Sequence, residues 1–307
     1  MPKGDSYTVR EIYAAYARAA ERWDSQGIDV SLAGNECSRF AWYAFRWAVE
    51  PAEMDGRQLR RIETGKLEEE RLANNLKNIG IGIKDRQAPI QFVSGHVRGK
   101  IDGRATAVPE APKTEHLLKT KAVNAKMFAK LNRHKLRNAR IEHFAECQLG
   151  MHALGLTRCL YVAVNTDDDA LYTERLDYDI HYASSLVARL SRIIGMDRPP
   201  PGLCSGPSDF RVTMCKFRGP CMEGALMRTT CRSCVHSIAS LDGNAAWACS
   251  RYERSIPFDE QKQACPAHLH IPETVPGEQI DYDEVSDAVT YRMADGTIWI
   301  NGGASVD

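Results

Sequence analysis

Gly99-Lys-Ile-Asp102-Gly103 and, a short way on, His116-Leu-Leu-Lys119-Thr-Lys121 set an acid at the end of one short β-like run and two lysines on the next. Pro109 and Pro112 break the chain between them. Strand alternation puts positions 119 and 121 on one face. Upstream, Gly65-Lys-Leu-Glu68-Glu69 falls in an expected helix over 56–79, which Asn78-Ile-Gly-Ile-Gly82 ends. Downstream, His143-Phe-Ala-Glu146-Cys-Gln148 falls in an expected helix over 138–154, and the apolar run 159–165 reads as a buried strand. Helix, strands, helix, strand is the order of an α/β (α+β) domain with a mixed central sheet flanked by helices. An acid on a helix, an Asp at a strand end and a lysine on the next strand would converge on one point. Such oxygen ligands suit a hard Mg²⁺ or Mn²⁺ ion, which polarises a phosphate and helps make hydroxide.

The flanks fill in around this centre. Thr8-Val-Arg-Glu11 reads as a capping box opening a helix to about residue 23. A second helix is expected over 37–49, and β-like runs over 90–96, 97–102, 104–108 and 115–121. Helical spacing marks 125–131 and 179–194. The run 171–177 is expected to pair with 159–165 across the acidic turn 167–169. Pro199, Pro200 and Pro201 mark a boundary, and the end of the chain reads as a hairpin of 288–293 and 297–301 around Asp295-Gly296. The expected division is an N-terminal helix (1–28), a core (29–200), a first Cys segment (201–230), a second Cys module (231–272) and an acidic tail with a β-hairpin (273–307).

The chain has 307 residues with 40 Lys plus Arg against 40 Asp plus Glu, so a uniformly basic protein is excluded. The longest apolar run, 159–164, is far short of the ~20 residues of a membrane span. The first residues lack the apolar core of a signal peptide. A soluble, cytoplasmic protein with no membrane partner is the expectation. The zero net charge hides an asymmetry. Residues 113–140 carry nine Lys or Arg against the single acid Glu115, and residues 257–307 carry ten acids against Lys262 and Arg292. The basic run, with Lys126, Lys130, Arg133, Lys135 and Arg137 at its centre, suits a nucleic-acid backbone. A solvated helix face is the bland alternative.

Seven of the ten cysteines fall within about sixty residues. In a reducing compartment clustered Cys mark metal more often than disulfides. Cys231-Arg-Ser-Cys234, Cys249 and Cys265-Pro-Ala-His268 suit a closed tetrahedral zinc site. The favoured ligands are Cys231, Cys234, Cys249 and Cys265, with His268 as the substitute for one. Cys204, Cys215 and Cys221 form a second set needing a fourth member, for which Cys37 is the candidate. Cys147 and Cys159 read as small core residues.

The layout resembles the PD-(D/E)xK nuclease superfamily, in its RecB-like branch with the YqaJ-type phage exonucleases and the iron–sulfur nucleases of CRISPR adaptation. The matching stretches are Glu36-Cys-Ser-Arg-Phe-Ala-Trp-Tyr, Thr64-Gly-Lys-Leu-Glu-Glu-Glu-Arg, Gly95-His with Gly99-Lys-Ile-Asp-Gly, Pro109-Glu-Ala-Pro-Lys and Leu160-Tyr-Val-Ala-Val-Asn. They span about residues 28–270, and their order and spacing carry more than any single piece.

By that resemblance the protein is a Mg²⁺- or Mn²⁺-dependent deoxyribonuclease acting in phage DNA recombination or replication, in a bacterial host cell. Glu69 (or Glu68) is then the helix acid, Asp102 the central metal ligand and Lys121 the motif lysine, with His96 and Gln148 near the site. The family's second acid falls on Lys119, and its Q-x-x-x-Y helix motif carries Glu146 and Gly150 instead. The resemblance also implies a [4Fe–4S] cluster on Cys37, Cys215 and Cys221. Val212 stands where the family has its other Cys, and Cys204 is the candidate fourth ligand. Two further readings stay open: a non-cutting nuclease-fold module that binds DNA or a protein, and a regulatory protein acting through its acidic end.

Overall fold

The computed structural model describes residues 6–20 and 25–303. Its longer helices are α1 (Tyr7–Ala19), α2 (Ser38–Phe45), α3 (Gly56–Asn78), α4 (Ala125–Ala139), α5 (Ile141–Leu154) and α6 (Ile180–Ile194), followed by the short α7 (Phe210–Thr213), α8 (Arg218–Met222) and α9 (Phe258–Gln261). The strands are β1 (Ile28–Asp29), β2 (Gly82–Lys84), β3 (Pro89–Phe92), β4 (Val97–Lys100), β5 (Gly103–Thr106), β6 (His116–Val123), β7 (Arg158–Asn165), β8 (Leu171–Asp177), β9 (Ser237–Ala239), β10 (Trp247–Cys249), β11 (Arg254–Ser255), β12 (Gly277–Asp283), β13 (Ala288–Met293) and β14 (Ile298–Gly302). The mixed α/β class expected from the sequence is what forms.

Contacts gather into two compact units that interleave along the chain. One takes Met1–Trp23, Pro51–Ile90 and Gly99–Ser184; the other takes Asp24–Glu50, Gln91–Arg98 and Ser185–Asp307.

In the first unit a five-stranded sheet runs in the order β2-β5-β6-β7-β8. Only β6 and β7 are parallel, because α4 and α5 make the crossover between them. Alternation along β6 and β7 sets two faces. Leu118, Leu160, Val162 and Val164 pack with Leu72 and Leu76 of α3 into one core. Lys119 and Lys121, paired in register with Tyr161 and Ala163, point the other way. Asp55 caps α3 in a reciprocal box with Gln58.

Several expected boundaries shift. The N-cap of α1 is Ser6, whose hydroxyl accepts from Val9 N, so the Thr8–Glu11 box does not form. The expected end of that helix near residue 23 lies outside the described residues. In α2 the helix stops at Phe45, since Trp47 takes φ 52° and leaves the helical region. The run expected as a strand to residue 96 ends at Phe92, because Val93 and Ser94 adopt positive φ in a turn. The expected helix over 125–131 continues to Ala139, with a break at Lys135 (φ 61°, ψ 166°).

α5 is buried from Phe144 to Met151. Gly150 lets it approach β6: a Cβ there would lie 2.6 Å from Leu117 Cδ2. No Tyr fits at that position. Gly150→Ala is expected to destabilise the protein by roughly 1–2 kcal/mol in urea unfolding, because overpacking a buried Leu outweighs the helix-propensity gain.

In the second unit β1 pairs with β4 in parallel through Ile28–Val97 and Asp29–Arg98. Two further sheets follow, β11-β10-β9 and β12-β13-β14. The terminal hairpin forms around Asp295-Gly296 as expected, and β12 adds a third strand. Leu269, Val275, Val289 and Tyr291 form its core. Among the described residues no helix is long and apolar enough to cross a membrane.

Candidate active site and cysteine clusters

Asp102 lies in the turn between β4 and β5, beside β6. Its Oδ2 accepts from Thr120 N at 2.7 Å and Thr120 Oγ1 at 3.2 Å. Its Oδ1 faces Lys119 Nζ at 3.5 Å. That ammonium also sits 2.7 Å from Glu146 of α5, and Lys121 Nζ is 3.6 Å from the same carboxylate oxygen. Glu69 of α3 joins the group electrically. Burial first, then Asp102, raises its pKa against the lowering by Lys121 and Lys119. Glu68 is instead paired with Arg71 at 3.1 Å, so Glu69 is the helix acid of the cluster. Glu115 is paired with Lys84 and Arg104.

Two carboxylates and two ammoniums thus meet at the sheet, with Glu69 near enough to feel their charge. Burial alone would lower the Lys119 pKa, but Asp102 and Glu146 outweigh it and raise it. Burial would raise that of Glu146, but Lys119 and Lys121 outweigh it and lower it. Both groups are charged at neutral pH. His143, one helical turn before Glu146, holds its Nδ1 3.0 Å from Tyr161 Oη. Burial and then Lys121 push its pKa down to about 4, so its ring is neutral at pH 7.

Glu146 is the residue sequence reasoning passed over. A cation stands at 119 where an acid was expected, and an acid at 146 where an amide was expected. Helix α5 brings the two within hydrogen-bond reach.

The fold is similar to that of an alkaline exonuclease. The likeness is to LHK-Exo of Laribacter hongkongensis, in a structure with dAMP (15% identity, TM-score 0.40, 60% of this chain and 90% of that one) and in another at 14% identity, TM-score 0.37 and the same coverage. A third solved structure, SSO0001, is similar at 12% identity and TM-score 0.40 over 70% of this chain and 96% of that one. No family model and no curated protein matches. Likeness at this level assigns no residue and no reaction, so roles rest on the geometry.

Two sequence candidates take structural places. His96 is fully buried in the second unit, where Nε2 meets Ser240 O at 2.8 Å and the ring packs edge-on against Phe45 and Trp247. A side chain so enclosed does not contact metal or phosphate. Gln148 is also fully buried. Its amide donates to Asp177 O at 2.9 Å and its oxygen accepts from Asp179 N at 2.8 Å, tying α5 to the segment after β8. It is a fastening of the fold rather than a catalytic group.

On α4, Lys126, Lys130 and Arg133 are exposed. Lys135 lies over the Tyr172 ring, and Arg137 over Phe144 and Tyr182 and 3.8 Å from Asp179. The first three are the more available for a phosphate backbone. Cys147 and Cys159 are buried core residues as expected.

The remaining eight cysteines gather in the second unit as two sets. Cys37, Cys204, Cys215 and Cys221 line one small cavity with Arg39, Tyr43 and Val212. Cys37 caps α2, Cys221 lies in α8, and Arg39 Nη1 is 3.7 Å from Cys221 Sγ. Each of the other three thiols adds to the upward pKa shift of Cys215, after burial. This donor set, four sulfurs and a cationic donor to one of them, fits a thiolate-held cluster. Val212 is buried. Cys231, Cys234, Cys249 and Cys265 line a second small cavity with His268. Among the described residues no three His, Cys, Asp or Glu side chains stand in ready metal-holding geometry. At the acidic cluster Lys119 lies between the carboxylates, and in both cavities the thiols share a space without closing on one point.

Proposed function

We propose that the chain is a DNA-directed phosphodiester hydrolase of the divalent-metal type, with Glu146 in place of the acid missing from β6. The observation that carries this reading is the meeting of Asp102 and Glu146 at Lys119 and Lys121, with Glu69 close enough for its pKa to respond to them. Asp102, Glu146 and Glu69 would hold a Mg²⁺ or Mn²⁺ ion, which when bound polarises the scissile phosphate and lowers the pKa of water. Lys121 is half-buried at the rim and positions a phosphate oxygen or the attacking water. Exposed Lys126, Lys130 and Arg133 hold the DNA backbone in place without reading sequence. Action in phage recombination or replication belongs to the same proposal. So does an iron–sulfur cluster on Cys37, Cys204, Cys215 and Cys221, with the structural role of fastening the segments around residues 37 and 204–221.

One observation favours a second reading. The Lys119 ammonium already satisfies Asp102 and Glu146, so the cluster is charge-compensated without any metal, as a non-cutting DNA-binding module would require. Incubation of the protein with linear DNA and Mg²⁺ or Mn²⁺ separates the two. Cleavage abolished by Asp102→Asn supports the hydrolase. DNA bound but uncut, with cutting gained in Lys119→Glu, supports the silent module. In either case Lys126→Ala with Lys130→Ala is expected to weaken DNA binding and flatten its salt dependence by roughly two counterions. Salt titration of a fluorescent duplex measures it.

A further inference from the structure

Residues 231–268 carry a deeply buried cation. Arg232 is 1% exposed. Its guanidinium lies 3.9 Å from the Trp47 ring centroid and donates to Phe45 O, Gln26 O and Gln261 Oε1. The two residues that hold Arg232-Ser233 are Cys231 and Cys234. They open and close a tight turn in which Cys234 N donates to Cys231 O at 3.1 Å. Such a turn aims both sulfurs to one side.

Three more features converge there. Cys234 Sγ accepts from Leu269 N at 3.5 Å, a bond that fixes the direction of the sulfur. Cys249 ends β10, registered opposite Ser237 and Arg254. Cys265 begins a second turn, where His268 N donates to Cys265 O at 3.0 Å. All four cysteines line the same cavity, with Ile256 and Ala267 as apolar wall. His268 lines it too, but its Nε2 lies 3.2 Å from Ser233 Oγ. That bond occupies the imidazole nitrogen and leaves a sulfur-only set. Arg251 lines the cavity, and Arg254 acts on Cys249 and Cys231. Both offset the net negative charge of four thiolates around a divalent ion.

We propose that Cys231, Cys234, Cys249 and Cys265 bind one zinc ion in a closed structural site, distinct from the Cys37 set, and that this ion holds the Arg232 turn in place. Four thiolates fill the tetrahedral shell, so the ion has no open position and no catalytic part. The zinc ties three separate chain segments across the seat of a buried cation. Loss of the ion therefore loosens that seat, and unfolding temperature falls with it.

The full-length protein, purified and reconstituted with zinc alone, is expected to hold roughly one zinc per chain by elemental analysis. Cys249→Ser and Cys265→Ser are each expected to lose it, whereas Cys215→Ser keeps it. The unmutated protein gives an independent readout. Cys265 is exposed, so iodoacetamide labels it readily once a chelator removes the zinc, and slowly while zinc is bound. Equal labelling with and without zinc overturns the proposal. So does iron in place of zinc that disappears with Cys265→Ser, or a disulfide among the four in the freshly purified chain. None of these outcomes bears on whether the Asp102 cluster cuts DNA.

Discussion

Lys119→Met is expected to lower the unfolding free energy by about 3–5 kcal/mol when divalent metal is chelated. The side chain is nearly buried, and its ammonium lies between Asp102 and Glu146, which are themselves mostly covered. Met keeps the length and volume of the lysine stem but leaves Asp102, Glu146 and Glu69 facing one another. A surface ion pair would cost a fraction of this, because water replaces the lost partner. Here water has little access. The remaining carboxylates relieve the strain by taking up protons, so their folded-state pKa values rise above the unfolded ones. An acid whose folded pKa is raised costs stability at higher pH and recovers it as pH falls through that pKa. The deficit is therefore expected to shrink below neutral pH. Divalent metal should repair it by another route. At a hundred times its dissociation constant, Mn²⁺ returns about 2.7 kcal/mol. Chemical denaturation of both proteins in chelator and in Mn²⁺ checks this. Equal stability of the two in chelator would mean that Lys119 does not neutralise the cluster.

That cluster shows how far the sequence could be read. The mixed α/β class, the strand pairing across 167–169 and the terminal hairpin follow from periodicity and turn chemistry, which are local. Asp102 and Glu69 could be singled out because strand and helix positions fix their direction. Glu146 could not, because its meaning depends on the approach of α5 to β6. That approach is set by Gly150 against Leu117, a contact between residues 33 apart in the chain. Without it, an acid for an amide at 146 reads as decay. His96 erred the other way. Its neighbours in sequence suggested a site, whereas the fold gives Ser240 O as its partner, 144 residues on. The cysteines were easier. Spacing grouped Cys231, Cys234, Cys249 and Cys265, since a Cys-x-x-Cys turn carries its geometry with it, whereas the family resemblance was needed to join Cys37 to Cys204, Cys215 and Cys221; each set lines one cavity.

Glu146→Gln is expected to reduce Mg²⁺-dependent cleavage of linear DNA by at least ~10²-fold, the scale of losing one charged group from a preorganised site. The substitution is nearly isosteric, so α5 keeps its packing. What changes is that Lys119 loses the oxygen at 2.7 Å and Lys121 the one at 3.6 Å. Two ammoniums then face Asp102 and Glu69 alone, and the cluster passes from net negative to neutral. A divalent cation loses a ligand and meets uncompensated positive charge together. The same logic separates relocation of the missing acid from mere pairing with Lys119. If Glu146 only neutralises Lys119, the double variant Lys119→Met with Glu146→Gln restores both stability and metal-dependent cutting, because pair and counter-charge leave together. If Glu146 is the second acid of the site, the double variant recovers stability but stays inactive. The coupling energy from the four-protein stability cycle, about 2–3 kcal/mol for contacting buried charges, and the cleavage rates then part company. A double variant as active as the unaltered protein would remove Glu146 from the catalytic site.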